Sequence, residues 1–105
     1  MADHVVVYVT AASEVQARRI ARRLLQNELI AAANFAPVDT MFLWKGDIQE
    51  EEEVSMILIT RVDKFDQVVD MVKTIHTHDT PTIIALPILL GSREYLNWID
   101  HEIGD

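Results

Sequence analysis

Two imidazoles and a carboxylate stand close together at His76, His78 and Asp79. Imidazole suits copper, zinc and nickel, and carboxylates suit harder divalent ions. A spacing of two residues puts His76 and His78 on one side of an extended segment, where both could reach one ion. A structural zinc site ordinarily has four protein ligands, and no second His/Cys pair lies nearby. The pattern therefore points to weak chelation completed by Asp79 or water, with copper(II) ahead of zinc in the general affinity order. Such binding should fade as pH falls through the histidine range near ~6.5, since protonated imidazole cannot ligate. The competing reading makes Asp79 a cap on the turn before Pro81.

Other chemistry-bearing residue types are read more plainly. Glu50 to Glu53 form an acidic run. It lacks EF-hand spacing, and neighbouring carboxylates on a strand point to opposite faces, so a solvated, aggregation-resisting hairpin is expected. Arg18, Arg19, Arg22 and Arg23 fall mostly off the apolar stripe of their helix and read as a solvated face, with an anion or partner site as the alternative. Trp44, Tyr95 and Trp98 sit at spacings typical of core or interface aromatics. The chain has no cysteine and three glycines, so thiolate sites, disulfides and phosphate-binding glycine loops are excluded. Ser13, Ser55 and Ser92 stand in no nucleophile-elbow context. A binding module is expected rather than an enzyme.

The elements that must position these residues follow from periodicity. At 105 residues with half of them apolar, residues 1–105 are expected to form one domain. The formal net charge of −8 argues against nucleic acid as a partner and attracts cations only diffusely. No apolar run reaches the ~18 residues of a membrane helix, so no membrane partner is expected. MADHVVV carries no basic region ahead of its apolar run, so a secretory leader is not expected and the cytoplasm is the default location.

Val5 to Thr10 is a first strand, apolar at nearly every position. Ser13 with Gln16 forms a capping box for a helix whose apolar stripe is Ala17, Ile20, Ala21, Leu24 and Leu25. Leu29 to Phe35 begins a second strand, which Pro37 and Asp39 should interrupt before Thr40 to Trp44 resumes it. Lys45, Gly46 and Asp47 supply a hairpin turn. The returning strand runs from about Ile48 to Thr60. Asp63 is the expected N-cap of a second helix with Phe65, Val68, Val69, Val72 and Ile75 on its buried stripe. After the histidine loop, Ile83 to Leu90 contains no polar residue, and Pro87 places it at a sheet edge or bulge. Ser92 caps a short terminal helix with Tyr95, Trp98, Ile99 and Glu102 on one side.

The order strand, helix, strand, strand, helix, strand, helix is the βαββαβ pattern of a ferredoxin-like α+β sandwich with an extra C-terminal helix. Helices on one face leave the other open, yet the first and last strands are apolar on both faces. A monomer is therefore not expected.

The run from His76 to Leu90, with Trp44, Lys45 and Gly46 upstream and Glu94, Tyr95, Leu96 and Trp98 downstream, resembles the CutA family of divalent-cation tolerance proteins. The resemblance extends from Val5 to Ile99. It implies a homotrimer linked to copper and divalent-metal response, with no established catalytic residues. It also implies a cleft between subunits near the Trp44 hairpin and the histidine loop. Trp44, Lys45, Pro81, Tyr95 and Trp98 are the expected cleft or interface residues. His76, Asp79 and Pro81 match the family's loop pattern, whereas Thr77, His78 and Thr82 depart from it. The family's Cys-Val-Asn is replaced around Ala33 and Asn34. A PII-type ligand-sensing trimer without a metal role, binding an anion at Arg18, Arg22 or Lys45, is the alternative by fold analogy alone.

Overall fold

The computed structural model describes residues 3–104; Met1, Ala2 and Asp105, at the ends of the expected domain, lie outside the described residues. In chain order the elements are β1 (His4–Ala11), α1 (Glu14–Gln26), β2 (Ala32–Trp44), β3 (Asp47–Arg61), a 3-10 turn (Val62–Lys64), α2 (Phe65–Ile75), β4 (Ile83–Pro87) and α3 (Arg93–Ile103). Among the described residues the strands form one antiparallel sheet in the order β2-β3-β1-β4. This is the expected ferredoxin-like α+β architecture.

The main core lies between α1, α2 and one sheet face. Val5, Val7, Val9 and Ala11 alternate along β1 onto that face, where they meet Met56 and Leu58 of β3. Ala17, Ile20, Ala21 and Leu24 of α1 and Val68 and Val72 of α2 close the layer. Each large side chain removed from water here contributes roughly 1.5–3 kcal/mol. Leu25, expected on the stripe, is exposed. α3 covers part of the opposite face, where Ile99 and Ile103 bury against Ile59, Val6, Ala31, Ala32 and Leu96.

The local signals at α1 and α3 operate as read, with one variation. Ser13 Oγ accepts the Gln16 N–H at 3.1 Å, and Ser92 Oγ accepts the Tyr95 N–H at 3.3 Å. Gln16 reaches back one residue further than a standard capping box, taking the Ala12 N–H at 2.9 Å. Asp63 does not cap α2. The 3-10 turn intervenes, and both Asp63 carboxylate oxygens are taken by Arg61, at 2.9 and 3.1 Å.

The hairpin is longer and more regular than expected. β2 runs unbroken through Pro37, which pairs with Val54. An outer strand tolerates proline because one of its edges has no partner to receive a hydrogen bond. Lys45 and Gly46 form a two-residue connection between the paired Trp44 and Asp47. Both have positive φ, 52° and 86°, as a type I′ turn demands. β1 pairs with β3 only from Val54 to Arg61, so beyond that point the hairpin projects as a two-stranded ribbon. The molecule is correspondingly elongated, 44 × 26 × 22 Å.

The regular part of the last strand is only Ile83–Pro87, shorter than the Ile83 to Leu90 run, and one chain leaves it largely exposed; Leu86 is 53% accessible. It does lie at the sheet edge, as Pro87 requires. Tyr95 and Trp98 do not share the buried side of α3 with Ile99. They stack on each other at 5.6 Å on its outer side, with Trp98 39% exposed. Leu96, Ile99 and Ile103 at three- and four-residue spacing take the inner side instead.

Candidate functional site

A cleft of about 570 Å³ opens on the sheet face away from α1 and α2, between the projecting ribbon and the histidine loop. The register of the hairpin builds one wall. Thr40 pairs with Glu51 and Phe42 with Gln49, so these side chains share a face with Trp44 and Glu53. The floor includes Thr10 of β1. Thr77, His78, Asp79, Thr80 and Thr82 form the other wall. The charged groups of the lining are Glu51, Glu53 and Asp79, so the cleft is acidic.

His76 begins the loop and is buried. Its Nε2 lies 2.8 Å from the Thr10 carbonyl oxygen, and its Nδ1 lies 3.0 Å from the His78 backbone nitrogen. A carbonyl can only accept and an amide N–H can only donate. His76 therefore carries its proton on Nε2 and presents the Nδ1 lone pair to His78. Gln16 supplies a second tether, donating from Nε2 to Thr77 Oγ1 at 3.1 Å.

His76, His78 and Asp79 are the expected metal ligands, and this geometry bears on the first of them. Both nitrogens of His76 are engaged in holding the loop, so its ring is a latch rather than a free ligand. The His78 ring lies 4.9 Å from it at a 54° tilt and lines the cleft together with Asp79. Among the described residues, no group of three or more His, Asp or Glu side chains is placed to hold a metal ion. The donor types in the cleft nevertheless suit a divalent cation: one imidazole and three carboxylates, incompletely converged.

Of the expected cleft residues, Trp44 lines the cleft. Lys45 sits at the turn with its Nζ 5.7 Å from the Trp44 ring centre. Pro81 lies in the loop, half-buried, between lining residues Thr80 and Thr82. Tyr95 and Trp98 belong to the outer side of α3, not to the cleft lining. Arg18, offered for an anion, pairs with Glu14 at 3.0 Å and stacks over Phe35 at 5.0 Å. Sequence reasoning missed Glu51, Glu53, Gln49 and Thr10 as cleft residues. The signal lay in the alternation of the acidic run, which sends Glu51 and Glu53 to one face and Glu50 and Glu52 to the other.

Comparison with known proteins agrees with the fold. The family profile described as CutA1 divalent ion tolerance protein matches residues 5–102. The divalent-cation tolerance protein CutA of Archaeoglobus fulgidus is 44% identical over 100 residues, covering 95% of this chain and 98% of that protein. Its counterpart in Thermus thermophilus is 36% identical over 100 residues, covering 94% and 97%. The solved Archaeoglobus fulgidus structure superposes with a TM-score of 0.95 over 96% of this chain and 99% of that one. The Thermus thermophilus structure gives 0.94 at 35% identity over the same shares. The fold thus defines a divalent ion tolerance module of ferredoxin-like type. This chain belongs to the CutA1 divalent ion tolerance family.

The expected cytoplasmic location does not stand. The Archaeoglobus fulgidus structure, 44% identical in sequence, is that of a protein described as periplasmic. The inference from the apolar N-terminal run had no positive signal behind it. No helix among the described residues is long and apolar enough to cross a membrane.

Proposed function

We propose that this chain works as a homotrimeric module in the response to divalent cations, holding such a cation weakly in the ribbon–loop cleft and catalysing no reaction of its own. The observation that carries this reading is the charged lining of the cleft, with Glu51 and Glu53 on one wall and His78 and Asp79 on the other. Mixed imidazole and carboxylate donors suit borderline divalent ions, copper(II) first among them. Incomplete convergence makes the site weak, with water or a neighbouring copy completing the shell. The printed name of the relatives, divalent-cation tolerance protein, supports the same role. The trimer is supported by apolar surface that a single chain leaves bare: Met41, Leu43 and Ile48 on the ribbon, and Ile84 and Leu86 on β4. A lone two-stranded ribbon is marginal in water and gains stability from a partner.

Calorimetric titration of Cu²⁺ tests the cation reading. The wild type should bind, and a His78→Ala, Asp79→Ala variant should lose most of that binding. Glu51→Gln with Glu53→Gln should weaken it without abolishing it. Identical isotherms for wild type and the loop variant would remove the cleft as the site, and no binding by any of them would remove direct coordination.

A further inference from the structure

We infer that Gln16 is a positioning residue for the cleft: its side-chain amide ties the histidine loop to the start of α1 and so holds His78 and Asp79 opposite Glu51 and Glu53. The inference rests on the cation reading of the cleft. Gln16 is the third helical residue after the Ser13 cap, where a side chain ordinarily serves its own helix by turning back to a free backbone N–H. Its Oε1 does so, accepting from Ala12 at 2.9 Å. Its Nε2 does something the cap does not need. It donates across 61 positions of sequence to Thr77 Oγ1 at 3.1 Å. Thr77 itself lines the cleft and directly precedes His78 and Asp79.

The second tether lies one residue earlier, where His76 Nε2–H donates to the Thr10 carbonyl at 2.8 Å. Both anchors, Thr10 and the Ala12–Gln16 cap, belong to the junction of β1 and α1. The loop wall therefore hangs from that junction, while the facing wall is the separate β2–β3 ribbon. Loss of a group bonded directly to a ligand typically lowers metal affinity by about 10–100-fold; Gln16 holds the residue next to His78, so its loss should fall at or below the lower end of that range.

Two readouts separate positioning from helix capping. In Gln16→Leu, hydrogen exchange at the His78 amide, which donates to His76 Nδ1, should speed up while the core amides of Val7 and Leu58 stay protected. Cu²⁺ affinity should fall by up to about tenfold. Thr77→Val keeps the Ala12 bond and should loosen the loop in the same way, even if Gln16→Leu weakens the helix. Gln16→Glu should restore loop protection, since the threonine hydroxyl can donate to a carboxylate. The His78→Ala, Asp79→Ala variant is the reference. If it loses Cu²⁺ binding while Thr77→Val and Gln16→Leu keep wild-type exchange and affinity, the inference is overturned and the cation reading stands. If the reference variant binds Cu²⁺ like the wild type, the cation reading fails and the role assigned to Gln16 fails with it.

Discussion

Asp63 shows how one side chain can trade a local role for a tertiary one. Its sequence position suits an N-cap, yet the Arg61 guanidinium beside it takes both carboxylate oxygens. That bidentate hydrogen bonding, with the attraction of the same charge, holds the Asp63 carboxyl below the ordinary carboxylate range. Arg61 also lies 3.6 Å from Asp100 of α3, which in turn meets His4 Nε2 at 3.0 Å. A carboxylate whose folded-state pKa is depressed stabilises the fold above its unfolded value of ~3.9, and that contribution fades as pH falls through the folded-state value. Asp63 is largely exposed, so the pair contributes no more than about 0.5–1 kcal/mol. Asp63→Asn should accordingly lower stability by that amount at neutral pH, and the difference from wild type should vanish in acid. Thermal melts of both proteins from pH 7 to pH 2 check this. A gap that persists at the acid end would assign the effect to something other than the carboxylate charge.

The hairpin turn is the element with the most direct link from residue type to geometry. Gly46 has a φ of +86°, and a Cβ added there would meet nothing within 4 Å. Its substitution therefore tests conformation alone. Gly46→Ala should cost about 1–2 kcal/mol, the usual penalty of left-handed backbone for a residue with a Cβ. Lys45 carries the same kind of strain at φ 52°. Lys45→Asn should regain part of it, up to about 1 kcal/mol, because asparagine tolerates this region. Chemical denaturation of the two variants measures both signs. Equal stability of Gly46→Ala and wild type would mean that the turn does not keep its type I′ form in solution.

At the scale of the whole molecule, the sheet face beyond α3 is unfinished in one chain. Ile57 and Ile84 both pair with Tyr8, and Leu86 pairs with Val6, so these residues form a continuous apolar band. The band continues the proposal of a trimer. Light scattering should give the mass of three chains at micromolar concentration. Leu86→Asp should shift that mass towards one chain while leaving the helix-side core intact, because Leu86 contributes to neither buried cluster. A well-folded monomer for the wild type, or a Leu86→Asp protein with unchanged mass, would count against this face as the contact. Trp98 belongs to the same question. Its half-exposed stack with Tyr95 offers little to a single chain and more to a neighbour that covers it.

The sequence by itself determined the element order, the turn at Lys45 and Gly46, and the caps at Ser13 and Ser92. Each is fixed by local backbone chemistry or by a periodicity of a few residues. The exposed last strand, the outward Trp98 and the unbroken passage through Pro37 depended on which strand lay at an edge and which side of α3 met the sheet. Those are decided by packing between distant segments. The same holds for the candidate site. His76 reads as a ligand beside His78, and only the approach of Thr10 from β1 turns it into a latch. Glu51 and Glu53 read as solvated charge, and only the projection of the ribbon past the loop makes them a wall. Residue type and spacing can name the donors, but which lone pairs remain available depends on contacts between residues tens of positions apart.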